Sequence, residues 1–127
     1  MNISEFLEKY PNVCQSARDW LQASGLTTMA EAWEVCLRGD WMWWTLQKVA
    51  LPAKAVSAAF AQSCAERAHN YSDAAAHAAY AAAFFAAADA ADAAAYAAAY
   101  AAAYAANAER RAQANWLRAN VPNPFSR

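Results

Sequence analysis

Apolar residues in the first half of the chain recur at spacings of three and four, and the breaks between the runs carry helix-ending chemistry. The spacing predicts a helix over residues 3–10. A second runs from Cys14 through Ala17, Trp20 and Leu21 toward Gly25, which stops it. Thr28-Met29-Ala30-Glu31 has the pattern of a capping box, in which threonine accepts from an orphan amide while glutamate reaches back to the cap. The helix it opens places Met29, Trp33, Cys36 and Leu37 on one stripe. Asp40 is then expected to cap a further segment, with Trp41, Trp44 and Val49 on one side and Met42 and Leu46 on another, Trp43 beside them. Apolar residues on more than one side mean either a central helix or an exposed binding patch. Pro52 is expected in the first turn of the next helix, with Val56, Phe60 and Cys64 as its apolar positions.

After a break at His69-Asn70-Tyr71-Ser72 the pattern changes. From Ser72 onward neither glycine nor proline occurs before Pro122, and a helix over residues 72–119 would extend about 70 Å. The expectation is a protruding rod or a bend, near Asp89 and Asp92 or near Asn107. Tyr80, Phe84, Asp92, Tyr96, Tyr100 and Tyr104 fall on one register of four-residue steps. Each step advances about 40° around a helix, so Tyr80 and Phe84 point roughly opposite to Tyr96 and Tyr100. The last segment, residues 110–127, is basic, and Val121-Pro122-Asn123-Pro124-Phe125 must leave the helix.

Composition sharpens this. Alanine accounts for 40 of the 127 residues, while Leu, Ile and Val together supply 13 and the aromatics 17. Burial therefore has to come from aromatic anchors among alanine surfaces. Two glycines and four prolines leave little turn chemistry for a sandwich or barrel. The fold class is all-α, with about five to six helices: short, aromatic-rich N-terminal helices packed on a long, straight or bent, Ala/Tyr-rich C-terminal helix. The chain reads as one helical domain over residues 1–127. Residues 1–71 are its Trp-rich part, 72–119 the alanine helix and 120–127 a tail.

A net charge of −1 fits neither a nucleic-acid binder nor an acidic DNA mimic. No basic n-region followed by an apolar stretch opens the sequence, so no secretory signal is expected. Residues 74–106 are long enough to span a bilayer. Twenty-four of these residues are alanine, however, and Asp89 and Asp92 would sit near mid-bilayer, so a membrane-free helix is expected. Cys14, Cys36 and Cys64 are odd in number and lack CxxC spacing, which reads as reduced, buried thiols in a cytoplasmic protein.

Candidate chemistry is sparse. Glu66-Arg67-Ala68-His69 has the Glu-x-x-His spacing of di-iron bundles, but the second copy that such a site requires is missing, so no metal is expected. Asp73, His77 and Tyr80 form a helical row that suits a local hydrogen bond better than an acid-base relay. Asp89 and Asp92 read as a wet helix face. No phosphate loop or nucleophile motif occurs, and no catalytic residue or cofactor is expected. The remaining candidates are protein-binding residues. Trp41, Trp43 and Trp44 are interface-type residues that a leucine-poor core would also use. Tyr96, Tyr100 and Tyr104 recur where other large side chains are scarce.

The run Trp33-x-x-Cys36-x-x-Gly39-Asp40-Trp41, followed by an Ala/Tyr tract and a closing Asn123-Pro124-Phe125, resembles a loose group of small alanine-rich phage and bacterial proteins. Some are described as immunity proteins of polymorphic-toxin systems. The resemblance implies a small intracellular protein that acts by binding another protein and carries over no catalytic residue. The expected function is therefore stoichiometric inhibition of a host or toxin protein, as a phage anti-defence (anti-CRISPR-like) inhibitor or a toxin-immunity protein. The alternative is a self-associating structural protein, a homodimer sealed by Tyr96, Tyr100 and Tyr104.

Overall fold

The computed structural model describes residues 1–68 and 103–126, and among them it is all-helical. The described residues form six helices in order: α1 (Ile3–Lys9), α2 (Gln15–Ala23), α3 (Met29–Val35), α4 (Gly39–Val49), α5 (Lys54–Ala68) and α6 (Ala103–Asn120). A lone antiparallel bridge joins Asn2 to Thr28, the residues preceding α1 and α3. Two main-chain bonds accompany it: Ile3 donates to the Thr27 carbonyl at 3.1 Å and Met29 to the Met1 carbonyl at 3.0 Å.

Both helix starts are closed by capping boxes. At α3 the Thr28 hydroxyl accepts from the Glu31 amide at 3.2 Å, as the sequence predicts. The Glu31 carboxylate accepts in return from the amides of Thr27 and Thr28 at 3.1 and 3.2 Å, which holds its pKa below the usual carboxylate range. Asn2 and Glu5 form the same box at α1. Gly25 follows α2 with a φ of +75°, a left-handed value that suits glycine where a helix ends.

α4 is the central helix. Met42, Trp43 and Leu46 are buried in one cluster with Trp33, Cys36, Phe60, Cys64, Ala114 and Leu117. Trp41, Trp44 and Val49, half-buried on another side, pack against a second cluster built by α1, α2 and α3 around Phe6, Leu7, Leu21 and Met29. The two-sided apolar pattern of α4 thus places it between two sets of helices. In the first cluster Trp43 stacks on Phe60 at 4.6 Å between ring centroids, and Phe60 meets Trp116 of α6 at 5.5 Å. Phe60, Cys64, Ala114 and Leu117 have no exposed surface. Rings, thioethers and small residues outnumber branched aliphatics in this cluster, where Leu46 and Leu117 alone represent them.

Gly39 sets how closely α4 and α6 approach. A Cβ there would lie 2.6 Å from the Ala114 main-chain nitrogen and 2.8 Å from the Gln113 carbonyl carbon, so only glycine fits. Farther along α6, Arg118 Nη1 donates to the carbonyls of Trp33 at 3.1 Å and Cys36 at 2.6 Å, satisfying acceptors that α3 leaves open at its end. Beyond α6, Asn123 Nδ2 donates to the Ala30 carbonyl and the Glu34 carboxylate, and Phe125 meets Phe6 edge to face at 6.2 Å. The tail therefore ties α1 and α3 to the end of α6.

Several expectations are corrected. Asp40 does not cap α4: the helix begins at Gly39, Arg38 occupies the cap position and the Asp40 carboxylate is drawn to Arg38. Leu37 leaves the α3 stripe because the helix ends at Val35, and its side chain is 52% exposed. Pro52 lies ahead of α5. Leu51 turns the chain with a left-handed φ of 43°, and the first helical residue is Lys54, after Ala53, whose carbonyl accepts from Ser57. Cys14 is exposed, at the extended cap position ahead of α2. α6 runs through Asn107 uninterrupted. Asp73, His77, Tyr80, Phe84, Asp89, Asp92, Tyr96 and Tyr100 lie outside the described residues, as does the expected long helix apart from α6.

Candidate functional site

A cavity of about 330 Å³ opens where α2, α3 and α4 converge. Four tryptophans line it: Trp20 from α2, Trp33 from α3, and Trp41 and Trp44 from α4. Phe6 of α1, Phe125 of the tail, Met29 and Met42 complete its apolar lining. The α4 register makes this wall. Trp41 and Trp44 are three residues apart and therefore share a side, while Met42 and Trp43 turn into the first cluster. Trp20 approaches Trp41 at 6.0 Å with the rings tilted by 49°.

One fixed ion pair borders the cavity. Arg38 Nε and Nη2 donate to Asp40 Oδ1 and Oδ2 at 2.9 and 2.7 Å, a two-pronged geometry that matches guanidinium to carboxylate. The same guanidinium lies over the Trp41 ring, 4.3 Å from its centroid. Burial by itself would raise the Asp40 pKa, but the Arg38 hydrogen bonds, the Arg38 charge and the more distant Arg110 together hold it below the usual carboxylate range. Arg38 is raised in turn, chiefly by its hydrogen bonds to Asp40. Burial pushes the Cys36 thiol up, so it faces the cavity uncharged at neutral pH.

A second polar cluster lies between α5 and α6. The Glu109 carboxylate, fully buried, accepts from Arg67 Nε at 3.0 and 3.1 Å and from Gln113 Nε2 at 3.1 Å, while Arg67 Nη1 donates to Ser63 Oγ at 2.5 Å. Cys64 adjoins this cluster, and burial pushes its thiol up to about 12. These groups are tied to one another, and the arrangement reads as a structural joint between the helices.

The candidate binding residues separate. Trp43 is 3% exposed and belongs to the core against Phe60, whereas Trp41 and Trp44 are half-buried and line the cavity. Tyr96 and Tyr100 lie outside the described residues. Tyr104 falls within α6, but its side chain is outside them. Glu66 is exposed and His69 lies outside the description; among the described residues no group of three metal-ligating side chains forms. No described helix is long and apolar enough to cross a membrane.

Sequence reasoning did not find Trp20, Phe125 and Arg38 as parts of one site. Arg38-Gly39-Asp40 is the only local signal, because an arginine two residues before an aspartate at a helix start can fold back on it. The fold and the cavity define a class, an all-helical protein with a tryptophan-lined recess. No family model matches the chain, and no curated protein or solved structure does either.

Proposed function

We propose that this chain is a non-catalytic binding protein that forms a stoichiometric complex with another protein, in the manner of a phage anti-defence inhibitor or a toxin-immunity protein. The observation that carries the reading is the pair Trp41 and Trp44, held half-exposed beside an open, ring-lined cavity on a helix whose other side is locked into the core. Large, rigid side chains presented this way are what protein interfaces use as anchors. The chemistry around them fits recognition better than turnover. Asp40 is committed to Arg38, and Cys36 is held as a thiol, so neither is free as a general base or nucleophile. Three free cysteines suit action in a reducing cytoplasm.

The test is affinity capture from host lysate, followed by reconstitution with the purified captured protein and sedimentation analysis. A defined-ratio complex with the parent chain is expected. The double variant Trp41→Ala, Trp44→Ala should weaken it at least about tenfold while retaining helical circular dichroism. A complex indifferent to both substitutions, or none with any host or toxin protein, overturns the reading.

A further inference from the structure

We propose that the cavity between α2, α3 and α4 is a binding site for a small uncharged aromatic molecule, one ring or two fused rings in size. The inference concerns the isolated chain and does not depend on the protein complex proposed above. Size is the first argument. About 330 Å³ lies at the lower end of the range for small-molecule sites, enough for a compact ring system and too little for an extended ligand.

Charge is the second argument. The titratable groups in the lining are Cys14, Cys36, Arg38 and Asp40. Arg38 and Asp40 neutralise one another through two hydrogen bonds, and Cys36 stays a thiol. A cation entering the cavity would have to compete with Arg38 both for Asp40 and for the face of Trp41, and an anion would meet an arginine already engaged. A charged ligand would therefore give up its water with no free counter-charge to receive it. Ring chemistry is the third argument. Tryptophan faces and edges favour offset or edge-on contact with another ring, and an aliphatic ligand of equal area gains no such contact.

Indole is the probe, titrated into the purified full chain by isothermal calorimetry and followed by backbone amide shifts in nuclear magnetic resonance. One-to-one binding with Kd of about 0.1 mM is expected, with shifts concentrated on α2, α3 and α4. Tryptamine and indole-3-acetate keep the ring and add a charge, and each should bind at least about tenfold more weakly. Cyclohexanol should bind about fivefold more weakly than indole. Ala17→Leu places bulk at the cavity wall, at a core position, and should abolish binding while the helical circular dichroism is retained. Arg38→Gln together with Arg110→Gln removes both guanidiniums within 4.0 Å of Asp40, and the preference for tryptamine relative to indole should then rise about tenfold. Absence of indole binding up to about 10 mM, or shifts that survive Ala17→Leu, overturns the site. Equal affinity for cyclohexanol overturns its aromatic selectivity, and equal affinity for the charged analogues overturns the role of the Arg38–Asp40 pair.

Discussion

Gly39→Ala tests whether the approach of α4 to α6 is the tightest constraint in the fold. The added Cβ would overlap Gln113 Cβ and stand 2.6 Å from the Ala114 nitrogen and 2.8 Å from the Gln113 carbonyl carbon. Two of these three neighbours are main chain, so no side-chain rotation relieves the clash. Ordinary separation is restored only if the helices move apart by about 1 Å, and a gap of that size forfeits a quarter to a half of the dispersion energy at each contact it opens. The contacts at risk are those of Met42, Trp43 and Leu46 with Ala114 and Leu117. Overpacking of this kind costs about 1–3 kcal/mol, while exchanging glycine for alanine in a helix returns less than about 1 kcal/mol. The expected net loss is about 2 kcal/mol. Urea unfolding followed by far-ultraviolet circular dichroism and tryptophan fluorescence should show the midpoint falling by about 1 M. Gly25→Ala is the comparison: nothing lies within 4 Å of its added Cβ, so only the positive φ resists, at about 1 kcal/mol and with unchanged native fluorescence. A Gly39→Ala protein as stable as the parent would refute the close-approach argument.

Three further outcomes follow from the buried groups. Cys64 has an ordinary value of 9.0 and a folded value near 12, so the folded state holds its proton more tightly; stability is intact below about pH 9 and falls by about 1.4 kcal/mol per pH unit above it. Cys64→Ala should flatten that alkaline slope in denaturant midpoints measured between about pH 9 and 11, and an unchanged slope would contradict the assignment. Asp40 is shifted the other way, so its contribution is present above about pH 4 and is lost as pH falls through the lower folded value. Asp40→Asn should make the acid limb of the stability profile shallower, and an identical limb would count against the pairing with Arg38. Arg67→Met removes a cation from the fully buried Glu109 and should cost about 3 kcal/mol in urea unfolding. Adding Glu109→Gln should recover part of the loss, and strict additivity of the two would show that the groups do not interact.

What was legible in the sequence follows the range of each interaction. Thr28 and Glu31, or Met42 and Leu46 against Trp41 and Trp44, are related within one or two helical turns, so spacing alone predicts their geometry. Asn2 and Glu5 carry the same three-residue signal, and the capping box they form could have been read in the same way. Asp40 misled because two local partners competed for it: an unbonded helix amide would have made it a cap, but Arg38 offered a charged fork two residues away. Cys14 misled because apolar chemistry alone does not say on which side of a helix start a residue falls. The cavity was illegible for a different reason, since its wall is assembled from α1, α2, α3, α4 and the tail. No spacing links Trp20 to Phe125. Glu109 is likewise paired with Arg67, on a helix far away along the chain.

The clamp from α6 and the tail onto α3 fixes when the protein can finish folding. Arg118 reaches carbonyls 85 and 82 residues earlier in the chain, and Asn123 reaches one 93 residues earlier. During synthesis the N-terminal helices emerge first, yet α3 lacks the donors for its last turn and the cavity lacks the ring of Phe125. A nascent chain halted before Arg118 would expose the aromatic faces of α3 and α4 to chaperones and to other nascent chains. The recess reaches its final shape only after translation has passed Phe125.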